Sequence, residues 1–357
     1  MSVRSGIGAG LALLLCAGAP GFTAAREDAG TFVLGGLTVR PGEIVSGYLE
    51  VPDTDGQGAR IPVTVIRGTE KGRVAAFVAG IHGYEYPPIL ALYRVKGLID
   101  LSTLKGTVIL VHIANPPSFR KRTIYYSPVD GKNLNRVFPG DPKGSLSQRI
   151  AHVLTNEVIG PSDAVIDMHC GDGNEALIPY TYWMIGPDKA LNEASRALAL
   201  AFGIPVIIID EARTQDPADS RYFGNTAMLR GKIAITTEAG ALGGTDEAAV
   251  LMNVGGVLNA LKHLGMIPGP PEPDPVPVWI DRYEVVESPL DGLFFPCVEK
   301  GHYVAEGQRI GRVTDDLGNV RAEMNAPFGG VVLYIVGTPP AAKGEPLFEI
   351  GRIRGDR

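Results

Sequence analysis

Apolar, β-rich runs alternate with segments of helical spacing through the first 267 residues, and this alternation is the strongest constraint on the fold. Runs that predict buried strands occupy residues 73–80, 107–114, 164–170, 205–210 and 232–240. Helical spacing is found in residues 88–99, 146–158 and 190–203. Such alternation is typical of an α/β domain with a largely parallel sheet. We therefore predict an α/β fold, to which residues 32–66, richer in Gly and β-branched residues, add an antiparallel edge or flap.

A proline-rich stretch separates this region from the end of the chain. Residues 268–277, PGPPEPDPVP, contain six prolines, and such a segment cannot hold a helix or a central strand. Beyond it, short strands punctuated by Gly and Pro every few residues predict a small all-β module. We therefore predict a catalytic domain at residues 26–267, a linker at 268–277 and a small β domain at 278–357.

The first 25 residues have the three parts of a secretory signal: a positive start, an apolar core and a small-residue exit. We predict that residues 1–25 are a signal peptide and that the protein is exported to the periplasm. Removal of this segment leaves two cysteines, Cys170 and Cys297, which excludes a disulfide-dense framework. The net charge of −6 includes no basic excess, so we expect no nucleic-acid partner.

Three potential metal ligands follow or end predicted core strands. His82 and Glu85 lie in GIHGYEYPPI, directly after the first of these strands, and His169 ends the strand AVIDMHC. In an open α/β sheet, ligands bind outside the carboxyl ends of the strands. A His, Glu and His set leaves one position of a zinc ion open for water, as in the catalytic site of carboxypeptidase A. We predict one Zn²⁺ per chain, bound by these three residues.

Further polar residues could serve a metal-activated water and a small substrate. Glu238, in ITTEAG, ends a third apolar strand and could face the same cleft as a general base. The loop at residues 122–140 holds Arg122, Asn135 and Arg136 among turn residues. Arginine offers a planar fork that fits a carboxylate, and asparagine offers an amide donor. Surface arginines on a long loop are the simpler alternative, but apolar residues flank the LNR segment, which predicts partial packing.

GIHGYEYPPI, NPPSFRKRTIYYSPVDGKNLNRVFPG, IDMHCG and TTEAG, in this order, resemble the succinylglutamate desuccinylase/aspartoacylase family of zinc carboxypeptidase-like hydrolases. The resemblance implies a mixed sheet flanked by helices, and it implies that His82, Glu85 and His169 are the zinc ligands. It further implies that Glu238 is the general acid/base and that Asn135 and Arg136 hold a substrate carboxylate.

Two further residues receive roles less directly. Arg122 is assigned to carbonyl polarisation, although the position nearer to that of the family's other arginine is Tyr125. Asp167 lies two residues before His169, so both side chains point to one side of a strand. We therefore expect Asp167 to orient His169, as carboxylates commonly do for ligating histidines.

The C-terminal module resembles the half-barrel of biotinyl/lipoyl carrier domains. Such carriers present a lysine on a hairpin, but the corresponding segment here, DDLGNVRAEMNAP at residues 315–327, contains none. We therefore expect a module without a carrier function, which packs beside the cleft or helps a homo-oligomer to form.

The leading functional hypothesis is a zinc-dependent hydrolase that cleaves the amide bond of an N-acyl amino acid or a similar small carboxylate. A metallocarboxypeptidase or an esterase, acting on short peptides or esters with the same residues, is an alternative. A non-catalytic periplasmic binding protein is a second alternative. The joint presence of His82, Glu85, His169, Arg136 and Glu238 favours catalysis.

Overall fold

The computed structural model describes residues 30–273 and 276–355. The predicted signal peptide at residues 1–25 lies outside the described residues. Within the predicted linker, residues 268–273 and 276–277 form neither helix nor strand.

Most of the described strands join one large mixed sheet. Its strands are β3 (Ile44–Thr54), β4 (Gln57–Arg67), β5 (Glu70–Ala79), β6 (Lys105–Val111), β7 (Ala164–His169), β8 (Glu175–Leu177), β9 (Tyr180–Met184), β10 (Val206–Asp210), β11 (Ile233–Glu238), β12 (Val278–Glu287), β14 (Tyr303–Val304), β17 (Gly330–Val336) and β19 (Pro346–Ile353). Two small antiparallel sheets are formed by β1 (Phe32–Leu34) with β2 (Leu37–Val39), and by β13 (Gly292–Pro296), β15 (Arg309–Thr314), β16 (Val320–Asn325) and β18 (Pro340–Ala341).

The strand order of the large sheet is β14-β17-β19-β12-β10-β9-β11-β7-β5-β6-β4-β3, with β8 paired to β17. At its centre β11, β7, β5 and β6 run parallel to one another, so their carboxyl ends meet at one edge. The antiparallel pair β3 and β4 forms one end of the sheet, as predicted from residues 32–66.

Six α-helices accompany this sheet in the described part of the chain: α1 (Tyr86–Lys96), α2 (Pro116–Lys121), α3 (Leu146–Val153), α4 (Lys189–Phe202), α5 (Phe223–Leu229) and α6 (Glu247–His263). Short turns of other helix types occur at Leu134–Arg136, Leu154–Ile159 and Pro217–Asp219. No helix of the described chain is sufficiently long and apolar to span a membrane.

The helices cover both faces of the sheet because the central strands are apolar on both sides. In β5, Ala75 and Phe77 pack with α1, α4 and α6, whereas Ala76 and Val78 face α3 and α5. This alternation follows from the two-residue period of a strand. The five predicted core strands and the three predicted helices are confirmed, and the strand β9 and the helices α2, α5 and α6 were not predicted.

Local sequence explains how the chain turns from β5 into α1. Gly80 has φ +74°, and a Cβ atom there would lie 3.0 Å from Ile113 Cα, so both the conformation and the space favour glycine. Glu85 is the residue before α1, and two prolines follow in the first turn, where a helix needs no donated N–H. The metal-ligand candidates of GIHGYEYPPI are therefore held between a buried strand and a fixed helix start.

After the linker, the described chain forms strands without helices. Its first strand, β12, pairs in parallel with β10, and β19 and β17 follow in antiparallel order. The C-terminal segment therefore extends the main sheet, and a buried cluster that includes Ile208, Ile280 and Phe348 joins the two parts. Its division into a separate half-barrel domain remains a prediction.

Candidate metal centre and active site

His82, Glu85 and His169 meet at the carboxyl edge of the parallel strands. His82 and Glu85 follow β5, and His169 is the last residue of β7, which pairs in parallel with β5. All three residues are buried, and their potential ligand atoms lie within 4.8 Å of one another. The structure therefore brings the three predicted ligands together in a group that could hold a metal ion.

The two imidazoles present the same atom to the carboxylate. His82 Nδ1 lies 2.7 Å from Glu85 Oε1, and His169 Nδ1 lies 2.9 Å from Glu85 Oε2. The other nitrogen of each ring faces a polar oxygen: His82 Nε2 is 3.1 Å from Asn133 Oδ1, and His169 Nε2 is 2.9 Å from Asp167 Oδ1. Ligating histidines characteristically direct their second N–H at an oxygen of this kind, which fixes the tautomer and the ring orientation.

Of these two supporting residues, Asp167 was expected from its spacing to His169, whereas Asn133 was not. Asn133 lies in the same loop as the predicted site residues Asn135 and Arg136, so it could have been considered as a site residue from the sequence. The missing information was the fold of the loop, which directs Asn133 towards His82.

The charges of this cluster are consistent with a bound cation. Burial opposes ionisation of Glu85, but the two histidines outweigh it and hold the pKa of this carboxyl well below its usual range. Burial likewise opposes protonation of His169, but Asp167 and Glu85 raise its pKa well above the usual value. Glu85 Oε2 is buried, and its 2.9 Å contact with His169 Nδ1 lacks the geometry of a hydrogen bond. A metal ion would satisfy this oxygen and balance the buried carboxylates, so the residues fit a metal site.

Glu238 ends β11, the strand next to β7. Glu238 is partly exposed and lines the cavity described below. Its Oε2 atom, however, is buried and has no hydrogen-bond partner within the described chain. Burial, together with the charges of Glu85 and Glu175, raises the pKa of Glu238 well above the usual value, against the opposing effect of His169. A carboxyl group whose pKa is raised in this way can hold a proton and transfer it to a neighbouring group.

All of these groups open into one cavity of about 1300 Å³. Among its lining residues are Arg136 and Arg213 from the catalytic region and Tyr283, Tyr334 and Glu349 from the C-terminal segment. A cavity of this size fits a small molecule, and the C-terminal segment contributes to its wall.

Arg136 lies on the wall with its guanidinium available to a ligand. Its Nη1 donates to Asn135 O at 2.8 Å, and its Cζ atom lies 4.6 Å from the centre of the Tyr222 ring. No carboxylate of the described chain lies within 4.0 Å of this guanidinium. The predicted role of Arg136 as a carboxylate receptor is compatible with this position.

Asn135 is also in the cavity wall, but its amide has partners in the protein. Its Oδ1 accepts from Phe223 N at 2.8 Å, and its Nδ2 lies 3.4 Å from His169 Nε2. These contacts connect the start of α5 to the metal-ligand cluster. Its predicted contact with the substrate stays a prediction.

Arg122 is not brought into the cavity. It is exposed, lies in the left-handed region at the end of α2 with φ 52°, and is absent from the cavity wall in the described structure. Tyr125 lines the cavity instead: its ring centre lies 6.0 Å from that of His82, and its hydroxyl donates to Glu175 Oε1 at 2.8 Å. The role predicted for Arg122 therefore has no structural support.

Arg213 was missed by the sequence reasoning. It follows the predicted core strand PVIIID, so the rule about carboxyl ends of strands could have identified it. It forms an ion pair with buried Asp210, and its Cζ atom lies 4.1 Å from the centre of the Tyr222 ring. Arg213 and Arg136 therefore stack on the same tyrosine.

The catalytic-domain model of the succinylglutamate desuccinylase/aspartoacylase family matches residues 71–264. The chain belongs to the succinylglutamate desuccinylase/aspartoacylase family. Over 280 residues it is 34% identical to the N-alpha-acetyl-L-2,4-diaminobutyric acid deacetylase of Halomonas elongata, a match that covers 75% of this chain and 79% of the relative.

Solved structures of family members share the architecture. A succinylglutamate desuccinylase from Silicibacter sp. TM1040 superimposes with a TM-score of 0.78 at 27% identity, covering 87% of this chain and 95% of that one. The product-bound ectoine utilization protein EutE (DoeB) from Ruegeria pomeroyi gives a TM-score of 0.76, also at 27% identity and with coverage of 87% and 95%. Both matches extend beyond the range of the family's catalytic model.

The region matched by the model of the succinylglutamate desuccinylase/aspartoacylase family contains every metal-ligand candidate and Glu238. It ends before β12, so the cavity residues Tyr283, Tyr334 and Glu349 lie outside it. Membership in the family therefore accounts for the metal-ligand cluster, whereas the C-terminal part of the cavity wall has to be interpreted from the structure.

Proposed function

We propose that this protein is a zinc-dependent deacylase that hydrolyses the amide bond of an N-acyl amino acid. The observation that carries the proposal is the buried His82, Glu85 and His169 cluster at the edge of a large cavity, with Glu238 on the adjacent strand. Three nitrogen and oxygen ligands with an open position suit catalytic zinc. Relatives named as a deacetylase and a desuccinylase support amide cleavage.

The relative from Halomonas elongata suggests the first substrate to test, an N-acetylated 2,4-diaminobutyrate. Arg136 provides a site for the α-carboxylate of such a molecule, because a guanidinium binds a carboxylate through two parallel hydrogen bonds. A bound carboxylate would fix the orientation of the neighbouring amide at the metal-ligand cluster.

In this mechanism the residues of the chain have separate tasks. Zinc at the cluster would supply Lewis acidity, polarising the amide carbonyl and lowering the pKa of water to about 7. Glu238 takes a proton from the attacking water and returns it to the leaving amine. Asp167 and Asn133 keep the rings of His169 and His82 in place, and Arg136 holds the substrate carboxylate.

We also propose that the protein acts after export, on the basis of the signal-like residues 1–25. Fractionation of cells that express the full chain should recover a periplasmic form, and mass spectrometry should show that its N terminus lies near residue 26. A full-length product in the cytoplasmic fraction would contradict export.

The decisive experiment uses the zinc-loaded protein from residue 26 onwards. Its hydrolytic activity is measured on a panel of N-acetyl and N-succinyl amino acids, dipeptides and small esters. We expect release of an acyl group from at least one N-acyl amino acid, and loss of this activity on chelation with recovery on addition of zinc. Preferred cleavage of dipeptides or esters would support the carboxypeptidase or esterase alternative. Binding of panel members without turnover would identify a binding protein.

A further inference from the structure

Glu349 is a buried carboxylate in the cavity wall that the proposed mechanism does not use. It lies on β19, in the C-terminal segment, and only 6% of the residue is exposed. Both carboxylate oxygens lie 3.3 Å from the hydroxyl of Tyr182, a residue of the catalytic region that also lines the cavity.

No cation of the described chain neutralises Glu349. Among the residues that the structure describes, no Lys, Arg or His nitrogen lies within 4.0 Å of its carboxylate. Arg213, which is near enough to lower the pKa of Glu349, forms its ion pair with Asp210. Asp210 also accepts from the hydroxyl of Tyr283 at 2.9 Å, so the Arg213 charge has a partner of its own. A buried carboxylate without a cation is costly, which favours either its protonation or the binding of an external cation.

The sheet connects the metal-ligand cluster to Glu349 through residues of β11 and β9. In the strand pairing of the sheet, Glu238 of β11 lies opposite His169 of β7 on one side and opposite Tyr180 of β9 on the other. The rings of Tyr180 and Tyr182 lie 5.2 Å apart, and Tyr182 reaches Glu349. Because neighbouring strands are about 4.8 Å apart, β7 and β9 are separated by roughly 10 Å. One edge of the sheet therefore leads from the metal-ligand cluster past Glu238 and Tyr180 to Tyr182, which contacts Glu349.

The cavity wall also presents one group of each charge that has no oppositely charged partner in an ion pair within the described chain. Arg136, which has no carboxylate partner in the described chain, offers a positive site, and Glu349 offers a buried negative site. Burial raises the pKa of Glu349 to about 7, and an ammonium group at hydrogen-bond distance would restore its ionised form. The pair of sites complements a molecule that carries both a carboxylate and a primary ammonium group.

We propose that Glu349, held by Tyr182, binds a primary ammonium group on the side chain of the substrate and so selects N-acylated diamino acids over neutral ones. The proposal rests on the proposed function for the identity of the reaction. It assigns a specificity-determining role to the C-terminal segment, because Glu349 reaches the cavity from there.

The test measures binding separately from catalysis. Calorimetric titrations with 2,4-diaminobutyrate and 2-aminobutyrate, two amino acids that differ in the terminal ammonium, are made on the zinc-loaded protein and on Glu349→Gln. We expect the wild type to bind the diamino acid at least ~10-fold more tightly, and Glu349→Gln to lose this preference, since a buried hydrogen bond to a charged group is removed. Glu284→Gln, on the neighbouring strand with an exposed side chain outside the cavity wall, should retain the preference.

Hydrolysis of the corresponding N-acetyl compounds then distinguishes the two proposals. If Glu349→Gln keeps the zinc content and melting temperature of the wild type but loses only the preference, the role of Glu349 is supported. Preference retained in Glu349→Gln, or absent from the wild type, would overturn it. If the wild type prefers the diamino acid in binding but hydrolyses neither N-acetyl compound, the proposed deacylase activity fails while the ammonium site stands.

Discussion

Glu238 of β11 lies directly opposite His169 of β7 in the parallel pairing of the two strands. Two residues earlier, Thr236 of β11 lies opposite Asp167 of β7. The same strand pairing therefore positions His169, the carboxylate of Asp167 that orients it, and the proposed acid/base Glu238. Strand pairing alone therefore sets how far Glu238 lies from the metal-ligand cluster. This arrangement separates a residue that holds the metal from one that transfers protons beside it.

The first prediction tests this separation. Glu238→Gln should retain zinc and lower turnover by ~100-fold or more, because an amide of the same shape cannot take and return a proton. Glu85→Gln should instead weaken metal binding, since Glu85 contacts both histidines. Zinc content measured by atomic spectroscopy, together with kcat, distinguishes the two variants. Equal zinc loss in both would contradict the division of roles.

The second prediction concerns the ligands themselves. The purified protein should contain about one zinc per chain, and His82→Ala or His169→Ala should remove it, because each change leaves two ligands for an ion that requires three from the protein. His302→Ala, an exposed histidine of the C-terminal segment, is the matched control and should keep the metal. Full zinc retention in both ligand variants would place the metal elsewhere.

Sequence reasoning identified the parts of this site that follow simple rules. Central strands were recognisable as apolar runs, and residues at their carboxyl ends, such as His169 and Glu238, were natural candidates. The contact between Tyr182 and Glu349 could not be predicted, because it joins residues 167 positions apart across the linker. Arg122 was misplaced for a related reason: the conformation of its loop, including the left-handed turn at its own position, depends on tertiary packing.

The helix α6 shows how packing can override local preference. Its sequence contains adjacent glycines, Gly255 and Gly256, which weaken a helix by about 1 kcal/mol each relative to alanine. Such a pair argues against a helix in the sequence alone. In the structure, a Cβ atom on Gly256 would lie 2.1 Å from the Phe202 ring of α4, so the glycine allows the two helices to approach closely.

A matched pair of variants follows as the third prediction. Gly256→Ala should destabilise the fold by about 1–3 kcal/mol, since the added methyl group overpacks the contact with Phe202. In Gly255→Ala the added methyl group has no atom within 4 Å. This change should stabilise the fold by up to about 1 kcal/mol, because alanine has a higher helix propensity than glycine. Denaturant unfolding measures both free energies. Changes of the same sign and size would show that α6 and α4 do not pack as described.

The fourth prediction concerns the substrate carboxylate. Amidation of this group should remove most of the activity of the wild type, because Arg136 can no longer form two parallel hydrogen bonds with it. Arg136→Ala should have low activity on both forms, and Arg136→Lys should not restore the preference for the acid. The measurement is kcat/KM for a matched acid and amide. The same acid-to-amide ratio in wild type and Arg136→Ala would exclude Arg136 as the carboxylate receptor.

The last prediction is a pH dependence of stability that originates at Glu349. Burial raises the pKa of this carboxyl to about 7 in the folded protein, from an ordinary value near 4.5, with Tyr182 and Arg213 opposing the rise. Between these two pH values the folded state binds more protons than the unfolded state, so the free energy of unfolding falls as pH increases. A shift of this size corresponds to roughly 3 kcal/mol at most for the single group, lost between about pH 4.5 and pH 7.

Glu349→Gln removes that ionisation while keeping a side chain that can pair with the Tyr182 hydroxyl. The variant should therefore lose less stability than the wild type between pH 5 and pH 8, and it should be the more stable of the two at pH 8. Urea unfolding at both pH values, without ligand, gives the four free energies required. A wild type and variant whose stabilities change in parallel would show that Glu349 ionises equally readily in the folded and unfolded protein, and that its carboxylate is not held in the buried position seen in the structure.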